Sequence, residues 1–257
     1  MSRGRYFAGL ARLFGVDVDL FADDGVLVVP AADRSGQRRV TLHRVDRHAV
    51  LWIDPHLENE LSEWRGQSTT PTFEEFRDWA FVAGATLLGH GLEHLLPEAH
   101  RRASRAPELT VIDGGSPTGI ELVQTLLDEC SADDLDEAEF EIEALDPFLV
   151  GRVESNRLVA LAGGRTEPAR PGCMDIGVLV HPDHRQVGHG RGVVTAVADE
   201  LIAAGHLPLY RCASSNVGSR QLCRSVGFEL ALELEAFEWP AVPPSSEAVT
   251  TNAILEP

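Results

Sequence analysis

Two short stretches carry residue types at spacings that chemistry can use. The first is Arg185-Gln186-Val187-Gly188-His189-Gly190-Arg191-Gly192. It lies between an apolar strand-like run, Met174 to Val180, and a run that puts Val193, Val194, Val197, Leu201 and Ile202 on one helical face. At a helix start the backbone N–H groups have no partner within the helix and sit at its positive end, so such a turn binds anions. Glycines let the backbone come close to a pyrophosphate. The spacing G-x-G-x-G does not fit the dinucleotide-binding G-x-G-x-x-G, and the Lys-Ser/Thr pair of a P-loop is absent. A plain tight turn is the other reading. The second stretch, His90-Gly91-Leu92-Glu93-His94, matches H-x-x-E-H, in which two histidines one helical turn apart hold zinc and the Glu activates water. Gly89, Gly91 and Pro97 weaken the helix that this requires, and the sequence offers no third ligand. No metal is expected.

The elements around these stretches fall into two groups. Residues 25 to 53 hold three β-like runs, Val26 to Val29, Arg39 to His43 and Ala49 to Ile53, which suggest a small antiparallel meander. Thr72, with Glu75 three positions on, opens a helix carrying Phe73, Phe76, Trp79 and Ala80, and a glycine-interrupted helical run follows it to Pro97. Phe7, Leu10, Ala11 and Phe14 mark a short amphipathic helix at the N-terminus. The basic stretch around residues 99 to 107 reads as a linker, giving domains at 1–107 and 108–240 and a tail at 241–257. After the linker come a strand (Glu108 to Asp113), a helix (Gly119 to Glu129), an acidic connector (Asp133 to Asp146) and a hairpin that turns at Glu154-Ser155-Asn156-Arg157. Gly205 is the expected stop of the helix that follows the glycine-rich turn.

The 257 residues are one large or two modest domains at about 150 residues each. With 44% hydrophobic and 24% charged residues the chain is globular rather than disordered. Lys and Arg number 22 against 40 Asp and Glu, a net charge of -18, which repels phosphate backbones and anionic lipid and draws cations. Nucleic acid and membrane are therefore excluded as partners, and an amine suits the chain better than an acid. Cys130, Cys173, Cys212 and Cys223 are widely spread without a C-x-x-C pair, the pattern of reduced, cytoplasmic cysteines.

Arg185-Gln186-Val187-Gly188-His189-Gly190 resembles the acyl-CoA pyrophosphate signature of the GNAT superfamily of acetyl-CoA-dependent acyltransferases: Arg or Gln, two residues, Gly, one residue, Gly or Ala. VLVHPDHR looks like that superfamily's fourth strand and its exit, and Asn216-Val217-Gly218-Ser219, Leu222 and Val226-Gly227-Phe228 look like its closing helix and turn. The resemblance covers about residues 108–240. It implies a mixed α/β fold with a splayed central sheet, acetyl-CoA as co-substrate, and direct attack of a primary amine on the thioester. A smaller α/β domain of unassigned role precedes it.

By the same resemblance, the pantetheine arm lies along Val178-Leu179-Val180, with Leu209 to Ala213 as the neighbouring strand and the Val180 N–H polarising the carbonyl. The pyrophosphate falls to Arg185, Gln186, Val187, Gly188, His189, Gly190 and Arg191, and Asn216 and Ser219 contact the CoA arm. Asn216 is in any case a helix N-cap. Asp175 is the carboxylate on the fourth strand nearest the place where members often carry a base. Many members protonate the thiolate with a Tyr shortly before the final Gly-Phe; here Cys223 stands there, and the two tyrosines are Tyr6 and Tyr210. The acidic run at 133–143 corresponds to the wall of the acceptor cleft and points to a cationic amine. A non-catalytic acyl-CoA-binding module is the rival reading, and a second copy of the chain is a candidate partner.

Overall fold

The computed structural model describes residues 2–22, 25–45, 48–65, 72–97, 108–140, 148–166 and 172–241. The chain forms two compact units, Met1–Val18 with Gly91–Ala231, and Asp19–His90 with Leu232–Pro257. The division differs from the boundary expected at 107. Composition marks a loop, whereas a unit is defined by which strands pair. The linker stretch, which falls within residues 98–107, and residues 242–257 of the expected tail lie outside the described residues.

Helix α1 (Ser2–Phe14) belongs to the first unit and buries Tyr6, Leu10, Ala11 and Phe14 at helical spacing. In the second unit, β1 (Gly25–Pro30), β2 (Arg39–Val45) and β3 (His48–Ile53) do not form the expected meander. Strands β2 and β3 make an antiparallel hairpin, but β1 pairs parallel with β3, Gly25 opposite His48. Residues 31–38 contain a helical turn, Ala32–Arg34, rather than a tight reversal, and this carries the chain past β3. After α2 (Glu58–Arg65), the capping box of α3 (Phe73–Val82) is present: Glu75 N donates to Thr72 Oγ1 at 3.2 Å, and Thr72 N to Glu75 Oε2 at 2.6 Å. Leu51, Ile53, Leu57, Phe76 and Phe237 are core members here.

The run expected as a helix up to Pro97 is strand β4 (Thr86–Leu95). Its glycines disfavour helix, and Gly91 to Leu95 find a pairing partner elsewhere in the chain. Four residues along a strand span about 13 Å, so His90 and His94 are not one helical turn apart and cannot share a metal as in H-x-x-E-H. His94 is buried, donates Nδ1 to Tyr210 O at 3.3 Å, and is held neutral by that burial.

The rest of the first unit comprises β5 (Leu109–Val111), α4 (Pro117–Asp128), α5 (Ala132–Ala138), β6 (Phe148–Glu154), β7 (Arg157–Thr166), β8 (Cys173–Val180), α6 (His189–Ala203), β9 (Leu207–Ala213), α7 (Val217–Val226) and the start of β10 (Glu229–Glu238). Its sheet runs β4-β9-β8-β7-β6-β5. The β6–β7 turn has both central residues left-handed, Ser155 at φ 48° and Asn156 at φ 64°, as a two-residue I′ hairpin requires. Helix α6 buries Val193, Val194, Val197 and Leu201 among residues of β7 and β8, and Gly205 follows it at φ +86°. The start of the acidic connector is helix α5. Ser131 caps it, with Asp134 closing the box, and Asp134 N donates to Ser131 Oγ at 3.2 Å.

Candidate active site

Strands β8 and β9 run parallel but pair only at Cys173–Leu207, Met174–Pro208 and Asp175–Leu209. Beyond that point β8 stays on β7 as far as Val180–Ala160, while β9 stays on β4 from Leu209–Leu95 to Ala213–Gly91. The strands part and leave a cleft of about 650 Å³ between them. The antiparallel register fixes which main-chain groups face it. His181 N donates to Val159 O at 2.9 Å, so Val180–Ala160 and Val178–Ala162 are the non-bonded pairs of the β7–β8 ladder. The N–H and C=O of Val178 and Val180 therefore point away from β7, toward the side that β9 has left. The two N–H groups and the Val178 C=O form an open strand edge inside a cleft that both residues line, while the Val180 C=O is taken by Arg185.

The glycine-rich turn closes the wide end. Gly188 caps α6 with φ +93° and no side-chain bond, so the first N–H groups of α6 are left to whatever enters the cleft. A Cβ on Gly190 would sit 3.3 Å from both Leu222 Cδ2 and Val180 Cγ2, so the backbone here is close to its neighbours. Gln186, Gly188, His189, Gly190 and Arg191 line the cleft, whereas Val187 is exposed and does not. Arg185 lines it as a brace: Nε donates to Val180 O at 3.1 Å and Nη2 pairs with Asp134 Oδ1 at 2.8 Å. Burial works to raise the pKa of Asp134, but the bonds from Arg185 and Ser131 outweigh it and hold the carboxyl below its usual value. On the far side, Asn216 Oδ1 accepts from Ser219 N at 2.9 Å and caps α7, and both residues line the cleft.

The profile of the family described as FR47-like protein matches residues 149–239. A solved acetyltransferase of the GNAT family from Colwellia psychrerythraea is similar at 14% identity and TM-score 0.50, covering 74% of this chain and 76% of that one. A GCN5-related N-acetyltransferase from Sphaerobacter thermophilus is similar at 12% identity and TM-score 0.50, covering 82% and 85%. The chain has the fold of the GNAT superfamily. No curated protein matches it.

Two residues expected in the chemistry of this GNAT fold do not reach its cleft wall. Asp175 is 6% exposed and sits at the last paired position of β8, with Arg211 Nη2 2.7 Å, Arg211 Nε 2.8 Å and Arg165 Nη2 3.5 Å from its Oδ2. Cys223 is fully buried in the α6–α7 core, where desolvation pushes its thiol up to about 12. Tyr210 does reach the cleft. It is the first residue of β9 after the strands part, and its hydroxyl lies 2.8 Å from Ser219 Oγ. Burial raises its pKa well above the tyrosine norm, so the hydroxyl keeps its proton. Sequence reasoning noted Tyr210 only as one of two tyrosines; its place past the final β8–β9 pair exists only once the strands are in register.

The opposite wall is α5, which presents Asp133, Asp134 and Glu137. It packs so closely on β8 that a Cβ on Gly177 would come within 2.7 Å of Ala138 O. Of the carboxylates expected here, Glu141 and Glu143 lie outside the described residues, and Glu139 is turned to an ion pair with Arg165.

Proposed function

We propose that the chain transfers an acetyl group from acetyl-CoA to a primary amine by direct attack. The observation that carries this reading is the open main-chain edge at Val178 and Val180, which leads to the N-terminal turn of α6. An extended amide-bearing arm can pair with that edge as an added strand, and a pyrophosphate can take the unpaired N–H groups of His189, Gly190 and Arg191. Acetyl-CoA, with such an arm and such a phosphate, fits both ends and brings the reactive thioester. The Val180 N–H is then the donor aimed at the thioester oxygen.

The proton roles follow from what lines the cleft. Tyr210, neutral and supported by Ser219, donates its hydroxyl to the departing sulfur. Asp133 and Glu137 draw a cationic amine to the α5 wall, and Glu137 is the carboxylate for its proton. Its charge also helps to raise the pKa of Cys212 on β9, which supports a position within reach of both walls. Asp175 acts through Arg211, which it holds against the cleft, rather than as a base.

The absence of a tyrosine on α7 favours a rival reading, a non-catalytic acyl-CoA-binding module. Mass-resolved acetylation of an amine panel, run beside an acetyl-CoA thermal-shift assay, separates the two. Binding with turnover supports the transferase, binding alone supports the module, and no binding sinks both.

A further inference from the structure

Three donor side chains meet at the rim of the glycine-rich turn. Glu154 ends β6, His184 closes the helical turn Pro182–His184, and His189 opens α6. One ligand atom from each lies within 4.8 Å of the other two. His184 Nδ1 is 3.6 Å from Glu154 Oε2, and His189 Nε2 is 3.4 Å from Glu154 Oε1. These separations are long for N–H···O hydrogen bonds, which cluster at about 2.9–3.0 Å. They suit two donors on one metal, because bonds of about 2.0–2.1 Å at a tetrahedral angle leave the donors roughly 3.4 Å apart. The two rings lie side by side, centroids 6.2 Å apart and tilted by 31°, each with a nitrogen turned to the same carboxylate. One bound cation would engage all three donors at once.

We propose that Glu154, His184 and His189 bind one divalent transition ion, zinc by ligand type. Two imidazoles and a carboxylate suit zinc, while calcium and magnesium take oxygen ligands. Three protein ligands leave a fourth position for water. The surroundings orient the donors. Arg152 Nε donates to Glu154 Oε1 at 3.0 Å and pairs on its other side with Glu108, and His181 packs edge-on against His184 at 5.4 Å. The Arg152 charge opposes the ion and limits its affinity. All three ligands are partly exposed, at 34%, 34% and 16%, so an ion can enter from solvent. His184 and His189 bracket residues 185–188, so the ion would staple the turn that receives the pyrophosphate. The sequence hid the site because its ligands come from a hairpin and a turn thirty residues further on, whereas H-x-x-E-H, the motif it displayed, is on a strand.

The test needs no acetyl-CoA and is independent of the proposed reaction. Tag-free protein is titrated with Zn²⁺ against a chromophoric chelator, and with Co²⁺ followed by visible absorption. One ion per chain is expected, with Glu154→Gln and His184→Ala each weakening binding by at least about 10-fold. Zn²⁺ should raise the Tm of the native chain by mass action and leave that of the two variants unmoved. The metal-free Tm of each variant reports that it is folded, as these exposed positions allow. Less than one ion bound per native chain, or equal affinity in native protein and both variants, overturns the site.

Discussion

The hydroxyls of Tyr210 on β9 and Ser219 on α7 lie 2.8 Å apart across the floor of the cleft, one residue past the last β8–β9 pair. In the proposed reaction this strand-borne hydroxyl would serve as the proton donor that the resemblance implies on the closing helix.

Tyr210→Phe keeps the ring among its core neighbours and removes only the hydroxyl. If this group protonates the sulfur, kcat falls by about 10² or more while KM for acetyl-CoA changes little. Ser219→Ala should cost less, since it removes only support. Cys223→Ala should lower Tm with turnover nearly intact, as expected of a thiol that does no more than fill the core. Steady-state kinetics decide it, and turnover by Tyr210→Phe at the native rate would discard the assignment.

The glycine-rich turn is tested at Gly188 and Gly190. Gly188→Asp meets a left-handed φ of +93° and places a carboxylate at the mouth of the α6 N-terminus, and Gly190→Asp pushes one against Leu222 and Val180. Both should abolish the Tm rise caused by acetyl-CoA. Arg185→Ala should weaken binding less, because Arg185 is occupied by Asp134 and Val180 O. Unchanged acetyl-CoA affinity in both glycine variants would refute the role of the turn.

For the α5 wall, Asp133→Asn with Glu137→Gln should raise KM for a cationic amine while leaving that for acetyl-CoA in place, since the acceptor alone carries the opposing charge. Added salt should mimic the effect in the native protein. An equal loss for both substrates would point to misfolding.

In the second unit, Asp54 is fully buried, and burial alone would raise its pKa. The backbone N–H groups of Arg38, at 2.7 Å, and His56, at 3.0 Å, and the His56 ring outweigh that and bring it from 3.8 to about 2. A folded-state pKa below the unfolded one stabilises at any pH above about 4 and is lost as the pH falls through about 2. Asp54→Asn should therefore lower Tm at neutral pH and do so less as the pH drops toward 2. A Tm difference independent of pH would show that the carboxylate charge contributes nothing.

What the sequence determined by itself was local. The Thr72 capping box, the Ser155-Asn156 hairpin turn, the Asn216 cap and the strand–turn–helix around Gly188 each depend on residues a few positions apart, so their chemistry is written in neighbouring letters. Where local signals were ambiguous the pairing partner decided. The glycine-broken run Thr86–Leu95 became a strand because its second half pairs with Leu209–Ala213, more than a hundred residues downstream. Parallel pairing of β1 with β3 was likewise a tertiary choice. The acidic run hid a short helix although its Ser131–Asp134 box was legible. Tertiary structure alone put Tyr210 at the point where β8 and β9 part, turned Asp175 to Arg211, sealed Cys223 in the core and gathered Glu154 with His184 and His189. Each of those facts depends on strand register, and register is set by which distant faces bury one another rather than by any short spacing.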